Sequence, residues 1–176
     1  MNQLSNILTG IRLLLVPLFP VAFFSDHPEG RKIALGIFLL AGFTDFLDGF
    51  IARRFNMVTE LGIVLDPLAD KLMLLTVLFT LWINGTLPWW FAAFFFAKEV
   101  FMIAAGAYLY FKKGKFAIPS NYYGKTATAL LFLAIPLRML LPHSYTGLIL
   151  MGIAIVLMVT AFISYARFYW QRREFL

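Results

Sequence analysis

The sequence has no cysteine and only two histidines in 176 residues. Disulfides and thiolate chemistry are thereby excluded. His27 and His143 sit in short breaks between apolar blocks and read as surface residues. Charge is also scarce: 14% of residues are Asp, Glu, Lys or Arg, with 15 basic against nine acidic and a net charge of +6. The basic excess suits anionic lipid headgroups. No nucleic-acid partner is expected, because the basic residues cluster at the edges of apolar blocks and inside them, rather than on one soluble face. Met1 to Gly10 lacks a basic stretch, and no small-residue cleavage site follows the first apolar run, so no cleaved signal peptide is expected. Internal repeats and low-complexity segments are missing too.

What is abundant is apolar sequence. Hydrophobic residues make up 61% of the chain, 20 of them phenylalanine, and the mean hydropathy is +0.83. A membrane span needs about 20 mostly apolar residues. Six such blocks are legible: Ile7–Phe24, Ile33–Ala52, Leu61–Ile83, Pro88–Phe111, Tyr122–Leu141 and Gly147–Phe168. The breaks between them carry turn residues, and Trp89, Trp90 and Trp170 fall at block edges, where aromatic side chains favour the interface. The expected fold is an all-α integral membrane domain over residues 1–176, with six transmembrane helices. Arg53, Arg54, Lys112, Lys113, Lys115, Arg167, Arg172 and Arg173 all fall on one side of that arrangement. The opposite side has only Arg31 and Lys32, plus Arg138, read as a snorkelling anchor near a span end. By the positive-inside rule both termini are cytoplasmic.

Against this background, the carboxylates between positions 45 and 70 stand out. Asp45 and Asp48 are three residues apart near the end of the second block; Asp66 and Asp70 are four apart near the start of the third. Either spacing puts both residues on one helix face, with a rise of about 4.5 Å for the first pair and about 6 Å for the second. The short break between the blocks makes the two helices antiparallel neighbours, so all four carboxylates can converge on the cytoplasmic side. Charged groups in spans usually mark function. Four like charges in one partly dry site need cations. Lysine or arginine could serve, but divalent metals take oxygen ligands naturally, and a pair about 3.5–4 Å apart suits phosphoryl transfer. Gly49 leaves room for a ligand beside Asp48, Gly62 clears the face one turn before Asp66, and Arg53 carries a phosphate-matching fork. A cation transporter would use carboxylates differently, near the midplane or along a pore.

Asp45-x-x-Asp48-Gly49-x-x-Ala52-Arg53, eight residues, then Gly62-x-x-x-Asp66-x-x-x-Asp70 is similar at every fixed position to the signature of the CDP-alcohol phosphotransferase family. Asn6-x-Leu8-Thr9-x-x-Arg12 resembles the opening of members that make phosphatidylglycerol phosphate or cardiolipin. The resemblance implies a six-span enzyme of the bacterial cell membrane with its active site facing the cytoplasm, working as a homodimer. It implies CDP-diacylglycerol as donor, CMP as leaving group, and glycerol 3-phosphate as acceptor. Phosphatidylglycerol, giving cardiolipin, is the alternative acceptor. By the same resemblance Asp45, Asp48, Asp66 and Asp70 hold two divalent cations, Mg2+ or Mn2+, and Asp70 takes the acceptor's proton. Gly49, Ala52, Arg53 and Gly62 would form the CDP-binding part.

Acceptor choice must come from other residues. Lys98 and Glu99 lie within the fourth block, and Lys125 near the start of the fifth. Members using glycerol 3-phosphate often carry Arg-Glu and Gly-Lys at comparable places; here the pairs are Lys98-Glu99 and Gly124-Lys125. A lysine loses the bidentate phosphate contact that arginine makes. Lys98, Lys125 and Arg12 are the candidate acceptor-binding cations. Lys98 and Glu99 could instead neutralise each other, and Arg12 could snorkel.

Overall fold

A computed structural model describes the backbone of residues 3–55, 60–113 and 122–173, and the side chains of 7–47, 68–101 and 122–164. Among the described residues six helices follow in order: α1 Gln3–Phe23, α2 Gly30–Phe55, α3 Glu60–Ile83, α4 Trp89–Lys113, α5 Tyr122–Leu140 and α6 Thr146–Arg173. They match the six apolar blocks closely. The chain divides into two compact units, Met1–Ala105 and Gly106–Leu176.

In the first unit α1 packs on α2 and α3, and α2 touches α3. The buried residues recur every three or four positions, as one stripe per helix requires. Thr9, Arg12, Leu15, Phe19 and Phe23 line α1; Ala34, Phe38, Ala41 and Thr44 line α2; Ala69, Met73, Val77 and Leu81 line α3. Alanines at 34, 41 and 69 let the helix backbones approach closely. α4 joins α3 through the edge-to-face pair Phe79–Phe96, 6.2 Å between ring centres, and buries Phe91, Ala92, Phe95 and Glu99.

The other faces are apolar as well. Leu14, Leu18 and Val21 on α1, Leu39, Leu40, Phe43 and Phe46 on α2, and Ile149, Ile153 and Val156 on α6 are all exposed. Helices apolar all round belong in a large core or in lipid. Among the described residues one segment, Thr146–Ser164, is long and apolar enough to cross a membrane, and Ile7–Phe23 is a shorter apolar helix. Asp45, Asp70, Lys71, Lys98 and Glu99 interrupt the apolar runs of α2, α3 and α4.

The turns are specific. α3 ends in a Schellman motif: Thr86 N–H donates to the Leu81 carbonyl and Gly85 N–H to that of Trp82, with Gly85 at φ +71°. Between α1 and α2 the chain turns so tightly that a Cβ on Gly30 would stand 2.7 Å from the Ala22 carbonyl oxygen. Arg31 then lies over the Phe23 ring at 5.6 Å.

In the second unit α5 and α6 pair along Ala127, Leu131, Ala134 and Ile135 on one side and Met151, Ala154, Met158 and Ala161 on the other. Arg138, read from the sequence as an anchor near a span end, turns toward the break that follows α5. Its guanidinium donates to the carbonyls of Pro142 and Ser144, fastening the α5–α6 turn. Orphan carbonyls past a helix end need such donors, and this arginine is one turn away from them.

Candidate functional site

The motif helices are continuous. α2 runs unbroken through positions 45–55 and α3 through 60–70, so the helical spacing assumed for the acidic pairs holds for the backbone. Side chains are described for Asp45 and Asp70; those of Asp48, Gly49, Ala52, Arg53, Gly62 and Asp66 lie outside the described residues.

Asp45 on α2 and Asp70 on α3 lie within electrostatic reach of each other. Asp70 is exposed and lies within electrostatic reach of Asp45, Arg12, Glu99 and Lys71. α1 contributes Arg12 to this group. Its Nη1 stands 3.0 Å from Asp45 Oδ1, with the arginine 1% exposed and the aspartate 47%. No donor of this guanidinium makes an aligned hydrogen bond among the described residues, so the contact is an ion pair. Arg12 therefore does not snorkel. It sits beneath Asp45, on the buried side, where the α1 stripe that contains it faces α2 and α3.

A second charged group lies alongside. Glu99 is 6% exposed, and its Oε2 is 3.0 Å from Lys71 Nζ. The other oxygen pairs with Lys98, whose ammonium also stands 4.7 Å from the centre of the Phe95 ring. Mutual neutralisation of Lys98 and Glu99 is thus part of the arrangement, but Glu99 serves two lysines and ties α4 to α3. A lysine beside an aspartate reads in sequence as simple charge balance, so nothing local singles out Lys71. A buried glutamate on another helix gave no local signal of its partner. Lys125 is exposed on α5, in the second unit.

Among the described residues no three metal-ligating side chains form one group. The donors present, the carboxylates of Asp45 and Asp70, are hard oxygen ligands of the kind that Mg2+ and Mn2+ prefer.

Comparison with known proteins agrees with the motif. Residues 2–164 match the family model described as CDP-alcohol phosphatidyltransferase. A Mycobacterium tuberculosis protein named "Probable phosphatidylglycerophosphate synthase" is 34% identical over 169 residues, covering 93% of this chain and 79% of that protein. A Rickettsia felis protein named CDP-diacylglycerol–glycerol-3-phosphate 3-phosphatidyltransferase is 30% identical over 165 residues, covering 93% and 90%. A Schizosaccharomyces pombe fusion protein, named cardiolipin synthase (CMP-forming) / mitochondrial hydrolase, is 39% identical over 109 residues, covering 62% of this chain and 18% of that protein. With nearly its whole length matched and every fixed position of the acidic motif present, the chain belongs to the CDP-alcohol phosphatidyltransferase family.

Proposed function

We propose that this chain transfers the phosphatidyl group of CDP-diacylglycerol to glycerol 3-phosphate, forming phosphatidylglycerol phosphate and releasing CMP. The observation that supports the reading is the ion pair of buried Arg12 with Asp45, on α1 and α2, within electrostatic reach of Asp70 on α3. Two near-full-length relatives bear names for this reaction.

In this reading Asp70 accepts the proton of the acceptor hydroxyl. The acceptor oxygen attacks the phosphorus that carries diacylglycerol. The bond from that phosphorus to the bridging oxygen breaks, and CMP departs with the electron pair. Asp45, Asp48, Asp66 and Asp70 would hold two divalent cations, Mg2+ or Mn2+. When bound, these neutralise the diphosphate and offset the charge that develops on CMP. Gly49, Ala52, Arg53 and Gly62 would receive the CDP part, and Lys98 the acceptor phosphate.

The same reading makes the chain a six-span protein of a bacterial cell membrane, with both termini and the site on the cytoplasmic side and a homodimer as the working form. The exposed apolar faces of α1, α2 and α6 support the membrane setting. The cardiolipin synthase name of the fission-yeast relative favours phosphatidylglycerol as the second acceptor to test.

The test is purified protein in nanodiscs with CDP-diacylglycerol, Mg2+ and each acceptor in turn, with the lipid product identified by mass and CMP measured. Phosphatidylglycerol phosphate is the expected product. Cardiolipin alone would shift the acceptor, and no CMP with any alcohol would leave room for an ion transporter instead.

A further inference from the structure

We infer that Lys71 and Lys98, drawn together by Glu99, form one dicationic seat for the phosphate of the acceptor. This rests on the proposed transfer to a phosphate-bearing alcohol and adds to it a residue, Lys71, with a role in acceptor choice.

Glu99 lies at the bottom of the group, 6% exposed, and takes one contact from each lysine, on separate oxygens. The lysines stand further out, Lys71 at 34% and Lys98 at 24% exposure. An ammonium has three N–H donors and no acceptor. Each ammonium turns one side inward to Glu99, the Lys71 contact being an ion pair without an aligned hydrogen bond, and Lys98 has the Phe95 ring on another side. The remaining donors are left for an anion arriving from the open side. Two ammonium groups and one carboxylate leave a net positive charge, matched to a phosphomonoester carrying about −1.5 to −2 near neutral pH. The buried carboxylate fixes two flexible side chains beforehand, which lowers the ordering cost when the anion binds.

Position gives the seat its use. Lys71 follows Asp70 on α3, and Asp70 is within electrostatic reach of both Lys71 and Glu99. A short alcohol phosphate held at Lys71 and Lys98 would therefore keep its hydroxyl in the neighbourhood of Asp70. Lysines are point charges without a fork. Two of them on separate helices replace the grip that a single arginine at position 98 would give.

The experiment uses the full chain in nanodiscs and two readouts, the Michaelis constants for both substrates and direct binding of glycerol 3-phosphate by thermophoresis. Lys71→Met should raise the Michaelis and dissociation constants for glycerol 3-phosphate about ten- to a hundredfold, the usual worth of a charge-assisted hydrogen bond. The Michaelis constant for CDP-diacylglycerol should stay within twofold. Lys98→Met should do the same, while Lys71→Arg should hold both constants within about threefold of the unaltered protein, because an arginine still supplies charge and donors. If Lys71→Met leaves both glycerol 3-phosphate constants unchanged, the seat is wrong. The same holds if it raises both substrates' constants together and lowers the melting temperature, since Lys71 would then be only a helix clamp. If the unaltered protein binds glycerol 3-phosphate through Lys71 yet forms no product from it, the seat stands and the proposed reaction falls. Absence of both binding and product would remove the two together.

Discussion

The Arg12–Asp45 pair is lopsided, and its two members should respond differently to removal. Arg12 is almost wholly buried, whereas Asp45 is about half exposed, at 3.0 Å separation. At an effective dielectric constant of 20 the attraction is about 5 kcal/mol. Water at the exposed aspartate screens this, and about half is a reasonable working value. Asp45→Asn leaves the buried guanidinium without the counter-charge it touches, although Asp70 stays within electrostatic reach, so the metal-free protein should lose roughly 2–3 kcal/mol, toward the lower end of the range for broken buried pairs. Relief of the repulsion between Asp45 and Asp70 offsets part of this, so the figure is an upper limit on the loss. Arg12→Met gives up the same attraction, but it also removes the desolvation cost of burying the guanidinium, several kcal/mol. The exposed aspartate is then hydrated. The net change should be within about 1 kcal/mol of zero. The assay is equilibrium unfolding in mixed micelles with a chelator present, for both variants and the double variant. Equal losses, or a larger loss from Arg12→Met, would refute the reasoning, because the arginine would then be stabilised by something other than Asp45.

Three further outcomes are expected. Asp70→Asn should lower CMP release by at least about a hundredfold, the ordinary contribution of a general base, and EDTA should abolish release in the unaltered protein until Mg2+ or Mn2+ is restored; undiminished turnover in either case removes Asp70 and the cations from the chemistry. Gly30→Ala should destabilise by about 1–3 kcal/mol, the range for overpacking, because its Cβ would meet the Ala22 carbonyl, which cannot move without α1; a melting temperature equal to that of the unaltered protein would contradict it. Since the chain has no cysteine, single replacements report topology cleanly. Asp26→Cys, in the α1–α2 turn, should react with an impermeant maleimide on intact cells, and Lys115→Cys, after α4, only in inverted vesicles; labelling of both from one side would overturn the proposed spans.

Much of the fold was legible because its signals are local. Long runs such as Leu148 to Val159 are too apolar for anything but a buried or lipid-facing helix, and Asn84-Gly85 stops α3 where a left-handed residue is needed. The acidic motif was legible for a similar reason, since its residues lie on two consecutive helices and their spacings are those of a helical turn. The partners of Arg138 were not legible, because they belong to a turn whose path the sequence does not reveal. Arg12 showed as an isolated charge in an apolar stretch, which is equally the pattern of a side chain reaching for water.

Sequence alone determined that this chain forms six helices and carries a complete acidic motif, because apolar run length, turn residues and helical spacing act over a few neighbouring positions. Only the tertiary structure decided which charges meet. Arg12 finds Asp45 because the buried stripe of α1 faces α2, and Lys71 finds Glu99 because α4 lies beside α3. Charges pair through space, and packing between helices sets those distances, not separation along the chain.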